Sequence, residues 1–239
     1  MEPEPAFHAF SVEHVTAIIV TAALPFGLAA LARKSKSRFV ERGIVVSLLA
    51  ALIGNYTGYL IFIRGLGQLT WSQMLPMQMC DWAMVVIMVT LWTARRRWFE
   101  VAYFWGIGGT LQAILTPNLS YGFPDWRFIS FFVAHSGIIV GVVYLMLTRG
   151  LRPYPISIVR VFAWSELYFV VAMIVDQLTG VNYGFLLHKP EAFSLLSFLS
   201  DWRPLYLAQM HVLALVFFAI LYAPFAVADL IRRKPAVAL

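Results

Sequence analysis

Cysteine is almost missing from the chain: Cys80 is the only one in 239 residues. That excludes an intramolecular disulfide, a CxxC redox pair and a zinc site built on several thiols. Charge is scarce too, at 13% of residues against roughly 25% in an ordinary soluble domain, while 61% are hydrophobic. A water-soluble domain of this length needs a polar shell, which 18 Lys+Arg and 12 Asp+Glu spread along the chain do not supply. The surplus apolar surface must face lipid. Lysine is rarer still. Lys34, Lys36, Lys189 and Lys234 all fall outside the apolar runs, which excludes a retinal Schiff base. No internal repeat, low-complexity tract or His-x-x-x-His spacing is present.

What the chain does have is long apolar runs. A hydrocarbon core of about 30 Å needs roughly 17 to 25 residues. Runs of that order extend from about Ser11 to Ala32, Gly43 to Ile63, Leu75 to Trp92, Trp98 to Thr116, Phe128 to Leu147, Ile156 to Leu178 and Leu205 to Ile231. The reading is an all-α polytopic membrane protein, residues 1–239 forming a single seven-helix bundle with one long outer loop at about 179–204. The net charge of +6 is topological and does not point to nucleic acid. Fourteen of the eighteen basic residues fall in alternate connections and at the C-terminus, and only Arg64, Arg127, Lys189 and Arg203 lie on the other side. By the positive-inside rule the N-terminus is expected outside and the C-terminus in the cytoplasm. Residues Met1 to Phe10 carry Glu2 and Glu4 and no basic residue, so the first run is expected to be retained, not cleaved as a signal peptide. Within the long loop, Pro190 and the apolar run Ala192 to Leu199 suit either a short interfacial helix or an ordinary loop at headgroup depth. The Gly54/Gly58 pair and the cluster Gly106, Gly108 and Gly109 suggest close helix packing.

Polar side chains are expensive in hydrocarbon, so their depth is informative. At 1.5 Å per residue, Cys80 and Asp81 fall about 8 Å and His135 about 11 Å below the outer surface. The same slab holds Glu13, His14, Asn55, Tyr59, Gln112, Asp176, Gln177, Gln209 and His211, while Glu166 reads as the deepest acid of an otherwise apolar inner half. Such asymmetry suits a cavity open to the outer leaflet. Gln209 and His211 point nearly opposite ways, so at most one of them faces it.

Cys80 with His135 is the chemically sharp pairing, because an imidazole that takes the thiol proton creates a nucleophile for an ester or thioester carbonyl. Asp81, Glu13 and Asp176 are candidates to orient the base, and Gln78, Gln112 and Asn118 to meet an oxyanion. Two other classes compete. His14, His135 and His211 with Asp81 or Asp176 form a candidate zinc set for a lipid hydrolase, and a polar pocket with Glu166 and Asp176 suits a transporter or binding protein.

The segments Leu75-Pro76-Met77-Gln78-Met79-Cys80-Asp81, Tyr103 to Gln112, Thr116-Pro117-Asn118 and Phe131-Phe132-Val133-Ala134-His135, with Asn182-Tyr183-Gly184 and Lys189-Pro190, resemble the YwaF-like family of bacterial integral membrane proteins. That family is similar to the eukaryotic transmembrane protein 164 group, a cysteine-dependent acyltransferase acting between phospholipids, and more distantly to the androgen-induced membrane hydrolases. The resemblance implies a bacterial cytoplasmic-membrane enzyme that transfers or hydrolyses the acyl group of a membrane phospholipid or other acyl lipid, with no cofactor and no metal. Cys80 falls on the nucleophile and His135 on the histidine. Asn118 stands where an acid is expected. Around that pair, Gln78, Asn55, Gln112, Asn118, Asn182, Tyr183, Lys189 and His211 become the expected substrate-binding or oxyanion residues.

Overall fold

The computed structural model describes residues 6–191 and 194–232. Glu2, Glu4, Ala192, Phe193, Arg233 and Lys234, which enter the expectations above, lie outside the described residues. Among those described, the regular elements are all helices and β-pairing is confined to an isolated bridge between Ala6 and Tyr121. Five helices are long and apolar enough to cross a membrane: α1 (Val12–Ser35), α2 (Arg38–Gly65), α7 (Trp126–Arg149), α8 (Pro155–Thr179) and α9 (Arg203–Ile231). Two further passes are shorter. One is α4 (Met79–Thr93), which follows a single turn, α3 (Trp71–Met74); the other runs from α5 (Arg96–Trp105) through a π-helical turn at Gly106–Thr110 into α6 (Leu111–Leu115). Seven passes result, as expected, in an all-α polytopic membrane fold.

Local sequence explains the ends. Ser11 accepts the His14 N–H at 3.3 Å and starts α1, and Asp125 accepts the Arg127 N–H at 2.7 Å and starts α7. Pro155 occupies the first turn of α8. Gly150 and Gly180, with φ of 64° and 72°, close α7 and α8 in the left-handed conformation that costs glycine nothing. The third pass begins four residues later than its apolar run, at Met79 instead of Leu75. Pro76 biases Leu75 away from the helical region and supplies no N–H. Cys80 therefore sits in the first turn of α4, not a turn and a half inside it.

The most deeply packed span is α7, contacted by α1, α2, α4 and α5, and α9 is the least buried. Small residues set its close approaches. A Cβ on Gly137 would come within 2.6 Å of Leu52, one on Gly141 within 2.9 Å of Ile87, and one on Gly106 within 2.8 Å of Ile138. The glycine pair on α2 is different from expectation. Gly54 has open space beside it, and Gly58 alone meets a neighbour, Trp126.

The half of the bundle away from the N-terminus is less apolar than its sequence suggested. Glu100, near the start of α5, is fully buried, with Arg96 at 3.4 Å and Arg160 at 3.3 Å, whereas Glu166, midway along α8, has a side chain 40% exposed. Both cations are within reach of the two Glu100 oxygens, as a buried carboxylate requires. Arg152 pairs with Asp229 and stacks on Tyr154. The long connection contains no α-helix among its described residues. It forms 3₁₀ turns at Tyr183–Phe185 and Leu195–Phe198, with Pro190 in neither.

At the opposite face, where the N-terminus lies, Asp125 also holds the Arg127 side chain through both carboxylate oxygens at 2.7–2.8 Å, and Arg127 lies over the Tyr121 ring. The guanidinium holds the Asp125 carboxyl below the usual carboxylate range. A depressed folded-state value contributes stability that is present above the ordinary carboxylate range and lost as pH falls through the lowered value. Thermal melts in detergent between neutral pH and about pH 3 should show a steeper acid loss in wild type than in Asp125→Asn. Equal acid sensitivity would show that this pair contributes nothing to the pH dependence.

Candidate functional site

A cavity of about 460 Å³ lies in the half of the bundle nearest the N-terminus. Its wall on α7 is the stripe Arg127, Ser130, Phe131, Ala134, His135 and Ile138, spaced three and four residues apart as one helical face requires. Asn55, Tyr56 and Tyr59 line it from α2. The stretch through Leu75 and Gln78 brings in Cys80, Asp81 and Met84, and the connection after α6 adds Asn118 to Tyr121. Cys80, Asp81, His135, Gln78, Asn55 and Asn118, chosen on sequence grounds from four separate segments, therefore share one cavity.

His135 is buried and its Nδ1 lies 2.7 Å from the Phe131 carbonyl oxygen. A carbonyl only accepts, so Nδ1 carries the proton and Nε2 keeps the lone pair. The imidazole is further fixed by the Phe131 ring, 4.1 Å away between centroids. Its orientation thus comes from its own helix and not from Asp81, Glu13 or Asp176. Asp81 instead accepts the Gln78 N–H at 3.0 Å, closing the first turn of α4 on itself. Cys80, half-buried, occupies that same turn. The first N–H groups of a helix have no intrahelical acceptor and carry the positive end of its dipole. The thiol and imidazole make no direct hydrogen bond to each other among the described residues.

A second layer holds the turn that carries Cys80. The Tyr168 hydroxyl of α8 donates to the Met77 carbonyl at 3.1 Å, and the Gly184 N–H reaches the Gln78 side-chain oxygen at 3.4 Å. Gly184 adopts φ of 59°, and a Cβ there would meet the Tyr168 hydroxyl at 2.7 Å. Asp176, 1% exposed, accepts the Tyr183 N–H at 2.8 Å and so ties this loop to α8. Gly184→Ala combines a left-handed backbone with that collision and should destabilise the protein by about 1–3 kcal/mol. It should also slow alkylation of Cys80. Adding Tyr168→Phe removes the oxygen in the way and should recover part of the melting temperature; no recovery would place the cost in the backbone alone.

The remaining candidates lie elsewhere. Gln112, Asn182, Tyr183, Lys189 and His211 do not line the cavity. Asn182 organises the long loop through Leu187 and His188, Tyr183 is buried, and Lys189 clasps Leu199 and Asp201. His211 pairs with Glu166 at 3.2 Å between α8 and α9. Gln209 turns to the Ser200 N–H, so neither it nor His211 reaches the cavity. His14 is fully buried between the Ile114 carbonyl and the Phe10 N–H. Nε2 ties α1 to α6 and Nδ1 accepts from the residue just before α1, so neither nitrogen is left for a metal. The three histidines therefore sit apart, and no group of three His, Cys, Asp or Glu among the described residues converges as a metal site.

Residues that sequence reasoning left out complete the cavity wall: Tyr56, Ser120, Tyr121, Ser130 and Arg127. Arg127 had counted only as one of four basic residues on the sparse side. Its neighbour Asp125, two positions before it in a helix-capping position, was the available signal of a held cation.

No curated protein and no solved structure matches the chain. The TMEM164 family pattern matches residues 9–222, a span that includes the cavity, both layers around Cys80 and all seven passes in whole or in large part. The chain belongs to the TMEM164 family.

Proposed function

We propose that this protein transfers or hydrolyses an acyl group of a membrane lipid, with Cys80 as nucleophile and His135 as general base. The observation that carries the reading is that the only cysteine and a histidine whose Nδ1 is held by a backbone carbonyl line one cavity of a membrane protein. His135 Nε2 takes the thiol proton as the sulfur attacks the ester carbonyl carbon. The developing oxyanion meets the first-turn N–H of Cys80 and the side-chain amides of Gln78, Asn55 and Asn118. Collapse breaks the ester C–O bond, the departing lysolipid alkoxide takes the proton from His135, and a thioester remains on Cys80. A second alcohol, or water, then gives its proton to His135 and attacks the thioester, which releases the acyl product and restores the thiol.

Asp81 belongs to this reading as the residue that shapes the nucleophile's turn. The lipid is expected to enter from the leaflet at the N-terminal face, taken as the outer leaflet of a bacterial cytoplasmic membrane because the basic residues concentrate at the other face. Incubation of the purified protein with a bacterial phospholipid extract, followed by intact-mass measurement, tests the proposal. A fatty-acyl mass on Cys80 is expected. If the protein stays unmodified and no lysolipid forms, the nucleophile is wrong and the cavity is a binding or transport site.

A further inference from the structure

At the opposite face, α2 begins beside the end of α7. There a cleft of about 250 Å³ is lined by four charged side chains, Arg38, Glu41, Arg42 and Arg149. Glu41 accepts from Arg149 at 2.8 Å. Arg38 and Arg42 have no ion-pair or hydrogen-bond partner among the described residues, so three guanidiniums share a single carboxylate. Three other arginines on this face have carboxylate partners within the protein: Glu100 serves Arg96 and Arg160, and Asp229 serves Arg152. The cleft adds a further positive element. Ser37, the residue before α2, makes no side-chain capping bond, so the first-turn N–H groups of the helix that carries Arg38 and Arg42 are not closed off by it.

Apolar surface surrounds this cluster. Phe39, beside Arg38, is 85% exposed, and Val46 and Leu31 are more than half exposed, as residues facing acyl chains are. A ligand with an anionic head and an apolar tail fits both features at once. Phosphate is the anion that several guanidiniums together with helix amides bind best, and basic pockets between membrane helices recur as headgroup sites.

We propose that the Arg38, Arg42 and Arg149 cleft holds the phosphate of an anionic phospholipid from the leaflet at this face, separate from the Cys80 cavity. The lipid supplies the negative charge that three arginines and one glutamate leave unmet. Its role is independent of acyl chemistry, so the test does not use activity.

Lipid retention by the full chain in nanodiscs of mixed phosphatidylglycerol and phosphatidylcholine, read by native mass spectrometry, decides the matter. Wild type should retain phosphatidylglycerol in preference to phosphatidylcholine. Arg38→Gln with Arg42→Gln should lower that retention about fivefold for each charge removed. Arg64→Gln, at the other end of α2, should leave it unchanged, and unaltered helical circular dichroism confirms that each variant is folded. Equal retention by the double variant and wild type overturns the proposal. Binding of inorganic phosphate to the cleft as tight as that of phosphatidylglycerol overturns the lipid assignment, because the tail would then contribute nothing.

Discussion

Cys80→Ala is expected to abolish lysolipid formation from a bacterial phospholipid extract, a fall of about a thousandfold or more, while leaving the fold intact. The magnitude follows from losing the covalent route entirely, which in nucleophilic enzymes leaves only the contribution of binding and oxyanion donors. The fold should survive because the thiol is only half-buried and lines a cavity, so trimming it to a methyl group opens little new empty space. Lipid-product mass spectrometry and a thermal melt on the same samples check both halves. Retained turnover in a well-folded Cys80→Ala would remove this residue from the chemistry.

The second large effect concerns His135. Its replacement by alanine should lower turnover by about 10²- to 10⁴-fold, the range of a general base, and slow iodoacetamide alkylation of Cys80 at neutral pH. The Phe131 carbonyl that holds Nδ1 keeps its place in the α7 hydrogen-bond ladder, so the substitution leaves no orphaned backbone group. The alkylation rate separates a base from a strut. A merely structural histidine would lower the melting temperature without changing thiol reactivity in the protein that remains folded. Unchanged alkylation would therefore assign His135 to packing.

Asp81 and Asp176 illustrate how position alters the meaning of an acid. Each was a candidate partner for the imidazole, yet Asp81 closes the first turn of α4 and Asp176 anchors the long loop after α8 through Tyr183. Both act on the geometry of Cys80. They do so from behind it, through backbone N–H groups that carry no residue-type signature in a sequence.

Composition and hydropathy alone determined that the chain is an all-α membrane protein with seven passes, because lipid solvation imposes a length and polarity on every spanning segment. The cost of a polar group in hydrocarbon put forward Cys80, His135, Gln78, Asn55 and Asn118, which line the cavity, together with Gln112 and His211, which do not. Tertiary structure alone decided which polar groups meet. It gave His135 a backbone carbonyl as its orienting partner, sent His14 to Ile114 and His211 to Glu166, and enclosed Glu100 between two arginines. Depth along a helix can be counted from sequence, but the rotation of each helix about its axis depends on contacts such as Gly137 against Leu52 and Gly141 against Ile87. Those contacts join residues far apart in the chain, and they set which face of α7 lines the cavity.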